Sequence, residues 1–393
     1  MNRGALLRYA FSIMTLLNAS LTYAQFTVTP IGHSTPNFPN IPIYLDGIVQ
    51  SGAYAYTPNG NFGGLVIYDI SNPTNPTNVG KATVGSAYAY DLALAGTKAF
   101  VAGDNTGLEI YDVSDPANIV SLSHTNNGGS PGGVTVSGAY AYLASGGLWI
   151  YDISNPTSPI NVGHATNWVM GVAVSGNYAY GAAWSQGLTV FDISNPSNPV
   201  SIAQTNIGVP VRDIKVSGKY AYLQSSDGFR IYDISNPASP LYVGQNPTNY
   251  GASTARLTVS GNFVYLANGA DGFRIWDVSD PSSPVEAGHG QNTNSIAPVI
   301  GVAVSGDYAY AASGGYGLSV FKLSGPQLQV DLTNTNTAVL SWLTNTLNFR
   351  LQQTSNLIAG WINVTNISNV VGNRNLVILS PRNTTDFYRL KLH

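Results

Sequence analysis

The chain has 393 residues, of which only 9% are charged, and it contains no cysteine. The missing cysteines exclude disulfides, thiolate nucleophiles and cysteine-based zinc sites, and the 11% of aromatic residues argues against a disordered chain. Residues 25–326 carry 9 basic and 17 acidic side chains, whereas residues 327–393 carry 5 basic and 2 acidic ones. Binding to a phosphate backbone requires basic patches, so this acidic body predicts no nucleic-acid partner.

The first 24 residues have the features of an export signal. Arg3 and Arg8 give the segment a positively charged start, and residues 9–17 form a mostly apolar core. Small residues at positions 22 and 24 precede Gln25. This pattern predicts a signal peptide cleaved near Ala24. The alternative is a membrane anchor, but the apolar run is too short to span a bilayer comfortably. We therefore expect a secreted, periplasmic or cell-surface protein without a membrane span in the mature chain.

One short stretch recurs seven times along the chain. It is clearest at residues 187–199, Gly-Leu-Thr-Val-Phe-Asp-Ile-Ser-Asn-Pro-Ser-Asn-Pro. The copies close at residues 69, 112, 152, 192, 233, 277 and 322, so that they follow one another at intervals of 40–45 residues. A repeat of this length, built from β-branched and aromatic runs separated by turn residues, predicts the blades of a β-propeller.

The number of predicted strands indicates how the ring closes. There are seven first strands and seven third strands, but only six fourth strands follow the Asn-Pro or Asp-Pro turns. The missing copy resembles the N-terminal segment, because Thr29-Pro-Ile-Gly-His33 is similar to Ile160-Asn-Val-Gly-His164. We therefore predict an all-β fold: a seven-bladed propeller of four-stranded blades over residues 25–326, closed by the N-terminal strand.

The repeat also resembles a known family. Leu65-Val-Ile-Tyr-Asp69, followed by Ile70-Ser-Asn-Pro73, is similar to the signature of the LVIVD-repeat family of secreted and surface β-propellers. The resemblance covers nearly all of residues 26–323, and Lys322 departs from the closing Asp of the other copies. It implies a propeller fold and a role in extracytoplasmic interactions, and it implies no particular chemistry.

Residues 327–393 differ from the repeats. They contain short strand-like stretches rich in apolar residues, separated by Asn and Thr. The Phe-x-Leu-Gln element at 349–352 and the Phe-Tyr-Arg-Leu element at 387–390 resemble the small Ig- or fibronectin-III-like modules at the ends of many secreted bacterial proteins. We predict a small β-sandwich that acts as a spacer, adhesion or attachment module, with a core that is marginal on its own.

Several motifs that could carry chemistry are better explained as structure. The Asp-(Ile/Val)-Ser-(Asn/Asp)-Pro turns offer oxygen ligands, but they occur once per blade, whereas calcium needs six to eight oxygens around one point. His33, His164 and His289 occupy equivalent places in different blades and cannot converge on one metal. The Gly-x-Ser-x-Gly pattern at 128–132 has no strand before it and no helix after it, as serine hydrolases require. We expect neither a metal nor a cofactor.

The loops at one end of the blades vary in length and content, whereas the turns at the other end hardly vary. Binding residues tend to lie on loops held by a rigid scaffold. Charged residues at the start of the first strands should crowd the axial mouth, and aromatic residues should surround it. The candidate ligand-binding residues are Tyr90, Asp91, Trp168, Trp184, Arg212, Asp213, Tyr250, Arg256 and Tyr316.

Three functions remain open at this point. The leading hypothesis is a non-catalytic propeller that binds an extracellular protein or polysaccharide, because aromatic faces among polar groups suit such ligands. The alternative is an extracellular polysaccharide lyase or hydrolase at the axial mouth, using Asp46, Asp91, Asp213, Arg212 and Arg256. It would require two carboxylates about 5–10 Å apart that face an open pocket. A purely structural envelope protein would have no pocket.

Overall fold

The computed structural model describes most of the repeat region and the strands that follow it. The described residues are 26–35, 45–60, 63–83, 88–126, 129–246, 256–291, 298–325, 329–332, 338–343, 349–354, 362–364, 369–371, 374–379 and 387–392. The stretch Thr27–Ser324 forms one compact unit, and the strands after Gly325 belong to a second. None of these ranges contains a helix that is long and apolar enough to cross a membrane.

The first unit consists of antiparallel strands arranged in four-stranded sheets, as the repeat predicts. Its described strands are β1 (Thr27–Ser34), β2 (Val49–Ser51), β3 (Tyr54–Pro58), β4 (Leu65–Asp69), β5 (Thr77–Ala82), β6 (Ala89–Ala95), β7 (Lys98–Gly103), β8 (Gly107–Asp112), β9 (Val120–Thr125), β10 (Gly133–Ser137), β11 (Tyr140–Ala144), β12 (Leu148–Asp152), β13 (Ile160–Ala165), β14 (Gly171–Ser175), β15 (Tyr178–Ala182), β16 (Leu188–Asp192), β17 (Val200–Thr205), β18 (Val211–Ser217), β19 (Tyr220–Ser225), β20 (Gly228–Asp233), β21 (Leu241–Gln245), β22 (Leu257–Ser260), β23 (Phe263–Ala267), β24 (Phe273–Asp277), β25 (Val285–Gly290), β26 (Gly301–Ser305), β27 (Tyr308–Ala312) and β28 (Leu318–Ser324).

Seven such sheets form the blades of a closed propeller. Blades 1 to 6 each take four consecutive strands, from β2-β3-β4-β5 to β22-β23-β24-β25, and blade 7 has the order β26-β27-β28-β1. The first strand of every blade contacts the first strands of its two neighbours, and β26 contacts β2 across the closure. The seven first strands therefore surround one axis.

The N-terminal strand closes the ring, as predicted from the sequence. Strand β1 pairs with β28 from Thr27 opposite Ser324 to Ser34 opposite Leu318, with a bulge at Ile31. A bulge occurs at the corresponding point of the outer strand in each of the other six blades. Strand β1 is therefore equivalent to the other outer strands in register as well as in position.

Apolar side chains packed between neighbouring sheets hold the blades together. At the closure, Tyr68 and Val66 of blade 1 join Tyr310 and Val320 of blade 7 in one buried cluster. Burial of a large apolar side chain contributes about 1.5–3 kcal/mol to stability. The two faces of each sheet are covered by the two neighbouring blades. The same packing continues between the other blades that share such clusters.

The Asp-x-Ser turns after the third strands have the structural role that the sequence predicts. In six blades the closing Asp accepts a hydrogen bond from the backbone N–H of the Ser two residues later, at 2.8–2.9 Å. This bond lowers the pKa of the aspartates of blades 1 to 5, for example to about 2 for Asp112 and Asp233, where Lys98 and Lys219 also contribute. In blade 7, Lys322 replaces the Asp and forms an ion pair of 2.8 Å with Asp307.

A glycine in the outer strand lets the Pro of the next blade's turn approach closely. A Cβ at Gly163 would lie 1.9 Å from the carbonyl oxygen of Pro196, and one at Gly32 would lie 2.1 Å from that of Pro73. The second of these contacts joins blade 7 to blade 1. A side chain at these glycines would force the neighbouring blade to shift.

The second unit contains two described antiparallel sheets. Their strands are β29 (Gln329–Leu332), β30 (Ala338–Leu343), β31 (Phe349–Thr354), β32 (Ile362–Asn363), β33 (Asn369–Val371), β34 (Arg374–Leu379) and β35 (Phe387–Leu392). One sheet has the order β29-β30-β34-β33 and the other β32-β31-β35. Leu340, Leu351 and Val377 are buried, whereas Ile378 is 59% exposed. The alternation of Val377 and Ile378 is typical of a sheet with one covered face.

Candidate functional site

One structural position at the start of the first strands differs sharply between blades. Four blades have glycine there, whereas the other three have two aspartates and one arginine. Going around the ring, the residues at this position are Gly47, Asp91, Gly133, Gly171, Asp213, Arg256 and Gly301. The glycines leave room near the axis: a Cβ at Gly47 would lie 3.5 Å from both Cδ and Nε of Arg256.

Arg256 spans the axis from blade 6 to the opposite side of the ring. Its Nε donates to the carbonyl oxygen of Asp46 at 3.1 Å, and its Nη2 donates to the carbonyls of Tyr90 and Gly132. Its Nη1 lies 3.3 Å from Oδ1 of Asp91. Burial alone would lower the pKa of Arg256, but the charges of Asp91, Asp213 and Asp46 outweigh burial and raise it. All three guanidinium nitrogens are therefore engaged, and Arg256 acts as an internal clasp.

The two aspartates at this position bind their neighbouring blades in the same manner. Oδ2 of Asp91 accepts from the backbone N–H of Val134, and Oδ2 of Asp213 accepts from that of Leu257, both at 3.1 Å. Oδ1 of Asp213 pairs with Lys215 at 3.1 Å. Burial would raise the pKa of Asp213, but Lys215 and Arg256 together lower it. Each aspartate thus joins two blades and also holds a cation.

Two cavities lie along the axis, on either side of the clasp. The inner cavity, of about 380 Å³, is lined by the first strands and includes Asp91, Lys215 and Arg256. The outer cavity has a volume of about 160 Å³. Its lining residues are Asp46, Tyr90, Gly132, Met170, Arg212, Asp213 and Arg256. Because Arg256 lines both cavities, its side chain separates them.

Two charged side chains of the outer cavity form no ion pair with the described residues. The guanidinium of Arg212 lies 4.4 Å above the ring of Trp184, and burial lowers its pKa. The carboxyl of Asp46 accepts no hydrogen bond from the described chain. Burial and the charge of Asp91 raise its pKa, while Arg256 opposes this change. These two groups differ from Asp213 and Arg256, which are already paired.

Aromatic side chains surround this mouth in two different states. Tyr88 is 45% exposed and stacks on Tyr90 with ring centroids 6.0 Å apart, and Trp168 is 40% exposed. Trp184 has a left-handed φ of 47°, and two backbone hydrogen bonds join it to Val211, at 3.1 and 3.2 Å. Trp184 is thereby fixed next to Arg212, whereas Tyr88 and Trp168 offer free aromatic surface.

The structure brings most of the sequence-predicted site residues to one place. Five of them line the two axial cavities: Tyr90, Asp91, Arg212, Asp213 and Arg256. Trp184 contacts Arg212, and Trp168 lies on the loop that precedes blade 4. Tyr316 stacks instead on His33 of the outer strand, with centroids 4.0 Å apart. Tyr250 lies outside the described residues.

Sequence reasoning missed other residues of the site. Lys215 lies two positions after Asp213 on the same strand, so the alternation of side chains places both on the axial side. Met170 and the carbonyl of Gly132 line the outer cavity, and Tyr88 stands at its rim. Tyr88 was identifiable as a neighbour of Tyr90 in a variable loop. Nothing about a methionine or a glycine at positions 170 and 132 identifies these residues as part of a site.

The carboxyl groups at the mouth do not form a pair that is free for catalysis. Both oxygens of Asp91 and both of Asp213 are engaged, and Asp213 is only 3% exposed. Asp46 alone keeps an unengaged carboxyl, whereas sugar hydrolysis uses two. The described part of the chain contains no group of three or more His, Asp or Glu side chains that could hold a metal ion.

Comparison with known proteins identifies the family. Residues 45–84, 86–125, 128–166, 168–206, 210–248, 251–290 and 299–326 each match the LVIVD repeat, and together they cover well over half of the chain. The chain belongs to the LVIVD repeat family. The seven matches of this LVIVD propeller correspond to its seven blades.

No curated protein matches the LVIVD propeller in sequence. Among solved structures, it is similar to the crystal structure of the computationally designed Ika8 protein, with a TM-score of 0.51 and 10% sequence identity. The similarity covers 75% of this chain and 99% of that one. At this level of identity the comparison concerns the fold alone.

Proposed function

We propose that the LVIVD propeller is a non-catalytic, secreted or cell-surface protein that binds an extracellular polysaccharide through its variable-loop face. The observation that carries this proposal is the pair of exposed aromatic side chains at the mouth, Tyr88 and Trp168. Each lies three residues before the position occupied by Asp91 or Gly171. The two rings therefore belong to equivalent connections, one entering blade 2 and one entering blade 4.

The chemistry of this face favours a sugar ligand. A sugar ring presents C–H groups that pack on an aromatic face and hydroxyls that need polar partners. The stacked Tyr88 and Tyr90 rings, at an interplanar angle of 19°, offer a flat surface beside the polar mouth. An extracellular protein is the other polymer that such a surface could bind, and the experiment below separates the two.

A glycan array combined with a pull-down from the cell surface tests the proposal. We expect the Tyr88→Ala/Trp168→Ala variant to lose ligand retention while its melting temperature stays unchanged. Tyr242→Ala is the matched control, because Tyr242 is 54% exposed but lies on the outer strand of blade 5. Capture of a protein and no glycan would replace the polysaccharide with a protein partner. Equal retention by the wild type and the double variant would reject this face as the binding site.

The proposed location outside the cytoplasm rests on the first 24 residues of the sequence. Fractionation of the producing cells, followed by N-terminal sequencing of the mature protein, tests it. We expect the protein outside the cytoplasm with Gln25 as its first residue. A cytoplasmic protein that begins at Met1 would contradict the predicted signal peptide.

We propose that the two sheets of the second unit pack face to face as a small β-sandwich that serves as a spacer or attachment module. The buried Leu340 and Val377 on one sheet and Leu351 on the other support this arrangement. Comparing surface retention of the intact protein with that of a protein lacking 327–393 tests the attachment role. Unchanged retention would leave the module without that role.

A further inference from the structure

The outer cavity has features that the proposed binding of a polymer at the rim does not use. We propose that it binds a small zwitterion, an α-amino acid with an apolar side chain, whose carboxylate lies against Arg212 and whose ammonium lies against Asp46. This inference is independent of the proposed rim site, because it concerns the cavity below the rim.

The outer cavity contains both paired and unpaired charges. Asp213 holds Lys215 and the Leu257 N–H, and Arg256 holds Asp91 and three carbonyls. Arg212 and Asp46 line the same cavity without an ion pair in the described chain. A half-buried charge without a partner is unfavourable, so a ligand of complementary charge would stabilise both groups.

Arg212 is held in place before any ligand arrives. It occupies the bulge between Val211 and Asp213, so it lies outside the regular pairing of β18 with β19. Its guanidinium stacks on Trp184, whose left-handed backbone is tied to Val211 by two hydrogen bonds. A non-glycine residue in this region is strained, and such strain is typical of ligand sites. A planar guanidinium fixed in this manner suits a carboxylate, which it can bind with two hydrogen bonds.

Asp46 lies on the opposite side of the axis, and its backbone is also held in place. The preceding residue, Leu45, donates its N–H to Gly314 at 3.1 Å, and the carbonyl of Asp46 accepts from Arg256. The backbone is therefore fixed on both sides of a carboxyl group that forms no ion pair with the described residues. A ligand ammonium would form the direct ion pair that this carboxyl lacks in the described chain, and burial raises the pKa of Asp46 even though the charge of Arg256 opposes this change.

Size and lining decide the class of zwitterion. A volume of about 160 Å³ corresponds to roughly five water molecules at about 30 Å³ each, which is the size of a single amino acid rather than of a polymer segment. Met170 and Tyr90 supply apolar surface to the same cavity. An apolar side chain of moderate size therefore fits better than a charged one.

Isothermal titration of the full-length protein tests the inference, with L-leucine as the first probe. Two analogues separate the charges: 4-methylpentanoate lacks the ammonium and 3-methylbutylamine lacks the carboxylate. We expect L-leucine, or another apolar amino acid of the standard set, to bind saturably and each analogue to bind at least about tenfold more weakly. Equal binding of the carboxylate analogue, or no saturation by any amino acid up to about 10 mM, would overturn the proposal.

Variants assign the binding to this cavity. Arg212→Gln and Asp46→Asn should each weaken binding at least about tenfold, whereas Lys219→Gln, at an exposed cation that pairs with Asp233, should not. Met170→Trp, which fills the cavity, should abolish binding even if one of the charge variants folds poorly. Unchanged affinity in all three cavity variants would exclude this location. The rim variant Tyr88→Ala/Trp168→Ala keeps the cavity charges, so its outcome tests the polysaccharide proposal separately.

Discussion

Replacement of Arg256 by Met should destabilise the propeller more than the loss of any other cation at the mouth. The substitution leaves the carboxylate of Asp91 without its cation and the carbonyls of Asp46, Tyr90 and Gly132 without a donor. The side chains of Arg256 and Asp91 are only 18% and 16% exposed, so solvent compensates little. Removing one partner of such a buried pair costs about 3–5 kcal/mol.

The assay is thermal unfolding followed by circular dichroism. For a unit of about 300 residues the unfolding entropy is about 0.6 kcal/mol per kelvin, so the melting temperature should fall by roughly 5–8 °C. Arg212→Gln is the matched control, because it removes a cation from the same mouth without breaking an ion pair, and it should shift the transition by less than about 1 °C. The double variant Arg256→Met/Asp91→Asn should recover part of the loss, since Asp91 then no longer carries an unpaired buried charge. A decrease in melting temperature of less than about 1 °C for Arg256→Met alone would refute the stabilising role of Arg256 as a clasp.

Three further predictions concern the ring and its closure. Gly163→Ala should lower the melting temperature because its Cβ would collide with the carbonyl oxygen of Pro196 in the next blade. Ala203→Gly, at the corresponding place in blade 4, should have a much smaller effect. Equal shifts would contradict the close approach between the outer strand and the next blade's turn. Deleting 25–36 should destabilise the propeller far more than deleting 327–393, as differential scanning calorimetry can measure; similar effects would contradict the closure. Burial lowers the pKa of His33, so the unfolded chain takes up a proton more readily below pH about 6.5, and stability should fall as the pH drops from there towards the lowered value. The variant His33→Phe should weaken this dependence between pH 7 and 5, and an unchanged pH profile would show that His33 does not contribute.

The parts of the fold that the sequence predicted depend on local chemistry repeated many times. Thr29-Pro-Ile-Gly-His33 identified the closing strand because its pattern copies an outer strand, including the glycine that faces a turn. The Asp-x-Ser turns were predictable because the hydrogen bond joins residues only two positions apart. The axial position of Asp91, Asp213 and Arg256 also followed, since each starts a first strand.

The contacts made at the axis were not predictable in the same way. Arg256 reaches partners 124 to 210 residues away in the chain, and whether it does so depends on the width of the ring and on small residues such as Gly47. The histidines show a related limit. Their repeated place in the outer strands does not show that His164, which keeps an exposed side chain, stacks on Trp149 with centroids 3.8 Å apart, or that His33 stacks on Tyr316. These partners depend on register between strands rather than on the repeat itself.

The pairing of β1 with β28 also constrains how the polypeptide reaches its native state. Thr27 begins the propeller unit and Ser324 ends it, so the pairing of these two strands in blade 7 has the greatest sequence separation in the ring. Such non-local pairing slows folding. A nascent chain interrupted before β28 would keep β1 without its partner and would expose an unprotected strand edge that promotes association between chains.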